Sequence, residues 1–264
     1  RDPNPGAPEE ERYKALTGGY TGLVSPDGIH WKKIQEKQII DPFEKCVGNG
    51  DWIGQAFWDS EQHQYVAYVR GWRKFKSTRF QWEEHVPDDG TLYPVCHVPG
   101  RFRQILCSTS PDFLNWTEPT FVNFGDAPLE HFYTNAATAY FRAPHIYLAF
   151  PKRFAPERKK IKEHRYEGVS DAVFMSSRDG VNWDRRFMEA FIRPGLDQNN
   201  WTQRSNMPAW GVVPTGPDEI SLYYSENYDH PTNRLRRATL RPDGFVSVRA
   251  GNNITQVLFF NDSL

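Results

Sequence analysis

Apolar and polar residues alternate in short runs throughout this chain, which is the period-two signature of half-buried β-strands. Residues 12–16, 65–69, 146–150 and 220–224 carry such alternation and include most of a recurring set of aromatic positions. A second set, 52–58, 133–141 and 207–213, precedes the last three of these. Tight turns join each pair, at Asp59-Ser-Glu-Gln-His63, Arg142-Ala-Pro144 and Pro214-Thr-Gly-Pro-Asp218. A third set follows at 104–108, 172–176 and 235–240, and a fourth, outer strand is expected at 120–123 and 189–192. Helical spacing is found nowhere, apart from one short turn at 157–163.

A repeat organises these strands. Ser25-Pro-Asp-Gly-Ile-His-Trp31, Ser110-Pro-Asp-Phe-Leu-Asn-Trp116 and Ser177-Arg-Asp-Gly-Val-Asn-Trp183 share one pattern, and Arg241-Pro-Asp-Gly-Phe245 is a degraded fourth copy. Each copy closes a four-stranded meander of about 65–85 residues, and such units arrayed around an axis are the blades of a β-propeller. The expected fold is therefore all-β, a single propeller domain over 1–264. Its units fall at about 1–48, 49–128, 129–198 and 199–251, and 252–264 is a closing strand or the start of a following module. That makes about three and a half blades. An open set leaves unpaired edges, so the expectation is a piece of a larger propeller, or a terminal strand at 255–260 that returns to complete the first unit.

Composition narrows the function classes. The 32 basic and 33 acidic residues leave a formal charge of −1, which argues against a polybasic nucleic-acid binder. No run approaches the ~18 apolar residues of a membrane-spanning helix. Aromatics make up 15% of the chain, enough both to fill inter-sheet cores and to supply stacking platforms. Cys46, Cys96 and Cys107 allow at most one disulfide, and His30, His63, His145 and His164 lack metal-ligand spacing. No cofactor is expected, although a structural cation on the propeller axis is compatible with the architecture, and a monomer is expected.

The Ser-x-Asp-Gly-x-x-Trp turns resemble a shortened form of the Asp-box of sialidases. From Arg1-Asp-Pro-Asn-Pro5 and Glu11-Arg-Tyr-Lys14 to Arg241-Pro-Asp-Gly-Phe245, the chain resembles the five-bladed glycoside-hydrolase-like propellers of bacteria. Those are similar in architecture to the invertase and arabinanase group. The resemblance implies five blades, a carbohydrate substrate and an extracellular or periplasmic location. Arg1-Asp2-Pro3 matches in letters a motif that begins an early blade in that group. Internal alignment instead puts Asp2 at the exit of an inner strand, equivalent to Asp59, so no catalytic role is carried over to it. The group's Asn-Asp-Pro nucleophile motif and Glu-Cys acid motif do not occur in this sequence.

Propeller geometry sorts the chemical candidates. Inner strands start, and second strands end, at one mouth of the central channel. Asp51, Gln55, Tyr133, Asn135, Arg204 and Asn206 are expected there from inner strands, with Arg70, Lys152, Arg153 and Glu226 from second-strand ends. Long charged loops are expected at 71–103 and 154–170, and such loops commonly carry recognition. Glycoside hydrolysis needs two carboxylates flanking the scissile bond, and Asp51 with Glu226 is the pair that qualifies. A sialidase-like alternative uses Tyr133 as nucleophile with Arg70, Arg153 and Arg204 clasping a substrate anion, for which the planar guanidinium is suited. Gln55, Arg70, Asn135, Arg153, Arg204 and Asn206 are the candidate substrate-binding residues. Asp27, Asp112 and Asp179 are expected to bond their own turns while Trp31, Trp116 and Trp183 pack between sheets. Two functions compete: a glycoside hydrolase acting on a poly- or oligosaccharide, anionic ones included, and a glycan-binding propeller without turnover. A scaffold for protein partners is a third possibility, since propellers host unrelated functions.

Overall fold

A computed structural model of the chain describes residues 1–40, 54–74, 101–158 and 168–247. The described residues are all-β apart from three single-turn 3-10 helices, Glu9–Glu11, Gly18–Tyr20 and Gln198–Asn200. The first unit is a three-stranded sheet of β1 (Tyr13–Leu16), β2 (Gly22–Ser25) and β3 (Lys32–Lys33). The second is a four-stranded antiparallel meander of β4 (Gln55–Asp59), β5 (Gln64–Lys74), β6 (Arg101–Ser110) and β7 (Thr120–Phe121). Strands β5 and β6 are longer than the sequence implies. Residues 71–74 and 101–103, expected in a loop, continue the ladder from Gly71↔Gln104 to Lys74↔Arg101.

The third unit contains eight short strands: β8 (His131–Phe132), β9 (Thr138–Tyr140), β10 (Ala143–Ala149), β11 (Lys152–Ala155), β12 (Val169–Val173), β13 (Met175–Ser177), β14 (Trp183–Asp184) and β15 (Ala190–Ile192). They form two sheets, in the orders β9-β10-β13-β14 and β8-β11-β12-β15, where one continuous blade was expected. Pro151 explains the break. It has no N–H for the ladder, and only its carbonyl is used, accepting from the Val173 amide at 3.1 Å. The fourth unit comprises β16 (Met207–Pro208), β17 (Val213–Gly216), β18 (Glu219–Glu226) and β19 (Arg234–Leu240). Its inner strand is likewise interrupted, between Pro208 and Gly211, the latter at φ 101°.

Three apolar clusters lie between consecutive units and stack them face to face. Tyr20, Ile40, Val69, Leu106 and Phe113 join the first and second units. Tyr68, Ile105, Phe132, Tyr147 and Trp183 join the second and third, and Tyr140, Phe150, Phe174 and Leu222 join the third and fourth. Each large side chain buried in this way contributes about 1.5–3 kcal/mol, so the interfaces supply most of the cohesion. Cys107 is a free thiol inside the middle cluster, and burial pushes it up to about 12.

The Ser-x-Asp turns repeat almost atom for atom. Oδ1 of Asp27, Asp112 and Asp179 accepts from the amides of Ile29, Leu114 and Val181 at 2.8, 2.9 and 2.9 Å. The indole N–H of Trp31, Trp116 and Trp183 donates to the carbonyl of Gly28, Phe113 and Gly180 at 3.0, 2.9 and 3.0 Å. That carbonyl residue sits at φ 77°, 68° and 75°, so Phe113 holds a left-handed conformation that glycine takes freely. Burial of the Phe113 ring between Tyr65 and Trp116 offsets the strain. Trp183 is buried as expected, but Trp31 is 41% exposed, because among the described residues no unit packs outside the first. In the fourth copy Asp243 itself takes the positive φ, 60°, and its carboxylate accepts from the Tyr140 hydroxyl at 2.7 Å.

Candidate functional site

Strand register sorts the side chains to two ends. In the second unit Asp59 pairs with Gln64 and Tyr65 with Ser110, so the strand turn and the Ser-x-Asp turn share one end. Gln55, Arg70 and Arg103 lie toward the other. In the third unit Ala143↔Tyr140 marks the first end and Arg153↔Phe132 the second. In the fourth, Gly216↔Glu219 and Met207↔Ser225 do the same. Of the expected set, Gln55, Arg70, Tyr133, Arg153 and Glu226 lie toward the second end. Beside it lies a cavity of about 490 Å³, lined by Gln55, Ala56, Thr134, Met207 and Trp210, and by Leu16 from β1.

Tyr133 is the centre of a cationic cluster. The Lys152 ammonium stands 3.8 Å from the ring centroid, with the Arg70 and Arg103 guanidinium carbons at 5.0 and 5.6 Å. Arg103 also lies 4.4 Å from the Trp72 ring. The backbone builds this arrangement: the Tyr133 amide donates to the Lys152 carbonyl at 2.9 Å, and Arg103 stands opposite Trp72 in the β5–β6 ladder. A cation over an aromatic face gains about 0.5–2 kcal/mol, more as water is excluded. Lys152 and Arg103 are buried, at 1% and 6% exposure, and the Lys152 ammonium also donates to the Gln203 carbonyl at 3.4 Å, so Arg70 and Tyr133 are the partly exposed members of the cluster.

The other candidates are distributed differently. Arg153 spends its guanidinium on protein groups, with Asp171 gripped through two bonds of 2.8 Å, Glu130 at 2.7 Å and the Met188 carbonyl at 3.0 Å. Asn135 donates to the Tyr68 carbonyl and accepts from the Ala137 amide. Asn206 is buried at φ 59°, donating to the Ser170 carbonyl while its Oδ1 accepts from Asn200. Arg204 lies over Tyr228, 5.5 Å from the ring, and donates to its hydroxyl at 3.3 Å. Glu226 accepts from Arg234 at 2.9 Å through Oε2 and from Tyr224 at 3.2 Å through Oε1. Asp51 lies outside the described residues, as do Cys46 and Cys96.

Arg103 and Trp72 were not anticipated, because both were assigned to a loop. Residues 102–106 read Phe-Arg-Gln-Ile-Leu, without period-two alternation, so only the β5–β6 pairing places Arg103 on a strand.

No family model matches the chain, and no curated protein matches it. Among solved structures the chain is similar to an N-acetylgalactosamine deacetylase from F. plautii, in complex with blood group B trisaccharide, at TM-score 0.49 and 14% identity. That similarity covers 80% of this chain and 56% of the deacetylase structure. A protein of unknown function from Dyadobacter fermentans aligns at TM-score 0.42 and 14% identity, over 88% of this chain and 52% of the other. An α-L-arabinofuranosidase from Fusarium graminearum, with an iminosugar inhibitor, aligns at TM-score 0.41 and 9% identity, over 84% and 67%. This chain therefore spans little more than half the length of the first two.

Proposed function

We propose that the chain belongs to a glycoside hydrolase that takes a poly- or oligosaccharide, anionic ones above all, at the strand end carrying Tyr133. The observation that carries this reading is the cluster of Lys152, Arg70 and Arg103 around the Tyr133 ring. Partly exposed Tyr133 and Arg70 offer an aromatic platform and a positive charge, with buried Lys152 and Arg103 adding to the positive field behind them, and these suit a sugar bearing carboxylate or sulfate groups. Hydrolysis requires two carboxylates about 5 Å apart for retention, or wider for inversion, and Asp51 with Glu226 is the proposed pair.

The engagement of both Glu226 oxygens by Arg234 and Tyr224 favours a second reading, in which the propeller holds a glycan without cleaving it. A screen of neutral, uronate-bearing and sulfated polysaccharides, with reducing-end detection and affinity electrophoresis in parallel, tests both. Release of reducing ends from anionic polymers supports the hydrolase, and capture without release supports the binding module. If no polymer is captured or cleaved, the carbohydrate reading fails.

A further inference from the structure

We infer that Arg204 and Tyr228 form a second subsite for a charged sugar, beside the one at Tyr133, so that the ligand is a polymer charged along its length and not at one end alone. The inference rests on the carbohydrate reading above and adds to it the length and charge spacing of the substrate.

The pair has the same make-up as Arg70 with Tyr133. The Arg204 guanidinium carbon lies 5.5 Å from the Tyr228 ring, and that of Arg70 lies 5.0 Å from the Tyr133 ring. All four residues are partly exposed. Arg204 and Tyr228 lie just past the Met207↔Ser225 pairing, on the side of Glu226, and so share the second end with Tyr133. In each pair the planar guanidinium suits a carboxylate or sulfate, and the ring suits the C–H face of a sugar.

Buried Lys152 links the two pairs. Its ammonium stands 3.8 Å from the Tyr133 ring and donates at 3.4 Å to the carbonyl of Gln203, the residue before Arg204. With consecutive Cα atoms ~3.8 Å apart, the Arg204 backbone lies within about 11 Å of the Tyr133 ring. One short stretch of polymer is thus enough to span both, and a buried charge between them is screened little by salt.

The segment that carries Arg204 is fixed before any ligand arrives. The Ser170 amide donates to the Thr202 carbonyl at 3.0 Å, and the Asn206 carboxamide returns a bond to the Ser170 carbonyl at 3.0 Å. The Tyr228 amide donates to the Ser205 hydroxyl at 3.0 Å, which ties the two members of the pair together through their backbones. Groups held in place in advance lose little freedom on binding. Glu226 and Asp197, acids of the same unit, are both turned toward Arg234, at 2.9 and 3.6 Å.

The test measures affinity of the purified full chain, by calorimetry, for galacturonate oligomers and for heparin-derived oligomers of defined length. A second contact on the same polymer becomes an intramolecular event, so affinity is expected to rise by about tenfold or more from monomer to hexamer in one series. A neutral oligomer carrying one terminal uronate should bind like the monomer. Arg204→Met should abolish most of the gain with length, whereas Arg70→Met should weaken short and long oligomers alike. Affinity independent of length in the parent chain overturns the inference without recourse to any variant. An undiminished gain in Arg204→Met overturns it as well. Where only long polysaccharides are captured, equal capture by Arg204→Met and the parent chain has the same consequence, and the carbohydrate reading survives. If no oligomer or polysaccharide is bound, that reading falls too.

Discussion

The hydroxyl of Tyr65 donates to Oδ2 of Asp2 at 2.6 Å, across the boundary between the first and second units. One unit later Tyr147 donates to Oδ2 of Asp59 in the same way. The other oxygen of each carboxylate holds the local turn: Oδ1 of Asp2 accepts from the Asn4 amide, and Oδ1 of Asp59 from the amides of Glu61 and Gln62. Each aspartate therefore bends its own strand exit and fastens the next unit's tyrosine. Burial, and then the neighbouring carboxylate, push both phenols upward, so they remain donors across the physiological range. The Arg-Asp-Pro letters mark a joint between units.

Tyr147→Phe leaves Oδ2 of buried Asp59 without its phenol donor. An unmet buried acceptor costs about 1–3 kcal/mol, so a fall of that size in the urea-unfolding free energy is expected. Tyr65→Phe should cost less, because Asp2 keeps Lys14 at 2.9 Å. Asp2→Ala should likewise lower stability without changing turnover per folded molecule. Loss of turnover at unchanged stability in Asp2→Ala would return a catalytic role to that residue.

Acid should loosen the Ser-x-Asp turns. Burial works against ionisation of Asp112 and Asp179, but donors from Asn115 and Leu114, and from Asn182 and Val181, together outweigh it and hold both carboxyls at about 2 instead of 3.8. A value depressed on folding gives stability that is complete above the unfolded value and lost as pH falls through the folded one. The urea midpoint is thus expected to decline between about pH 4 and pH 2. The double variant Asp112→Asn, Asp179→Asn should show a shallower decline, and an equally steep one would place the acid-sensitive groups elsewhere.

The Ser-x-Asp turns and the alternation around them were legible in the sequence because both are local signals, each complete within a dozen residues. What the sequence hid depends on pairing across distance. Pro151 was visible, but its splitting of the third blade follows only once Val173 lies opposite it. Arg103 looked like loop until its ladder to Trp72 was known, a pairing that spans a long insertion. Tyr133 was placed at this end from the sequence because position at an inner-strand start is a topological argument. Arg153 shares that end, but it faces Asp171 across the ladder, a partner that only the β11–β12 register reveals.

The cationic cluster sets a salt dependence. Arg70→Met and Arg103→Met each remove one positive group from the Tyr133 ring while keeping an unbranched apolar stem. Affinity for an anionic polysaccharide is expected to fall by roughly tenfold in Arg70→Met, which loses a charge-assisted contact, and by less in Arg103→Met, whose buried guanidinium acts only through its field. Its decline between 50 and 300 mM salt, probe concentrations chosen to shorten the screening length to well under ~15 Å, should also flatten. Neutral polysaccharides should bind the variants and the parent chain alike. Equal losses for neutral and anionic polymers would show that the arginines hold the fold, not the ligand.

Tyr133 separates the platform from the nucleophile. Tyr133→Phe keeps the ring that faces Lys152 at 3.8 Å and Arg70 at 5.0 Å, and removes only the hydroxyl. Tyr133→Ala removes both. A nucleophilic phenol needs a base beside it, whereas three cations stand against this ring. The ring is therefore expected to act as the platform that gathers the charges. Tyr133→Phe should retain anionic-polysaccharide affinity within about twofold and kcat nearly unchanged, whereas Tyr133→Ala should raise KM about tenfold or more through lost stacking and cation–aromatic contact. If Tyr133→Phe instead keeps its affinity and loses kcat by several orders of magnitude, the hydroxyl attacks the sugar, and the chemistry is of the sialidase type.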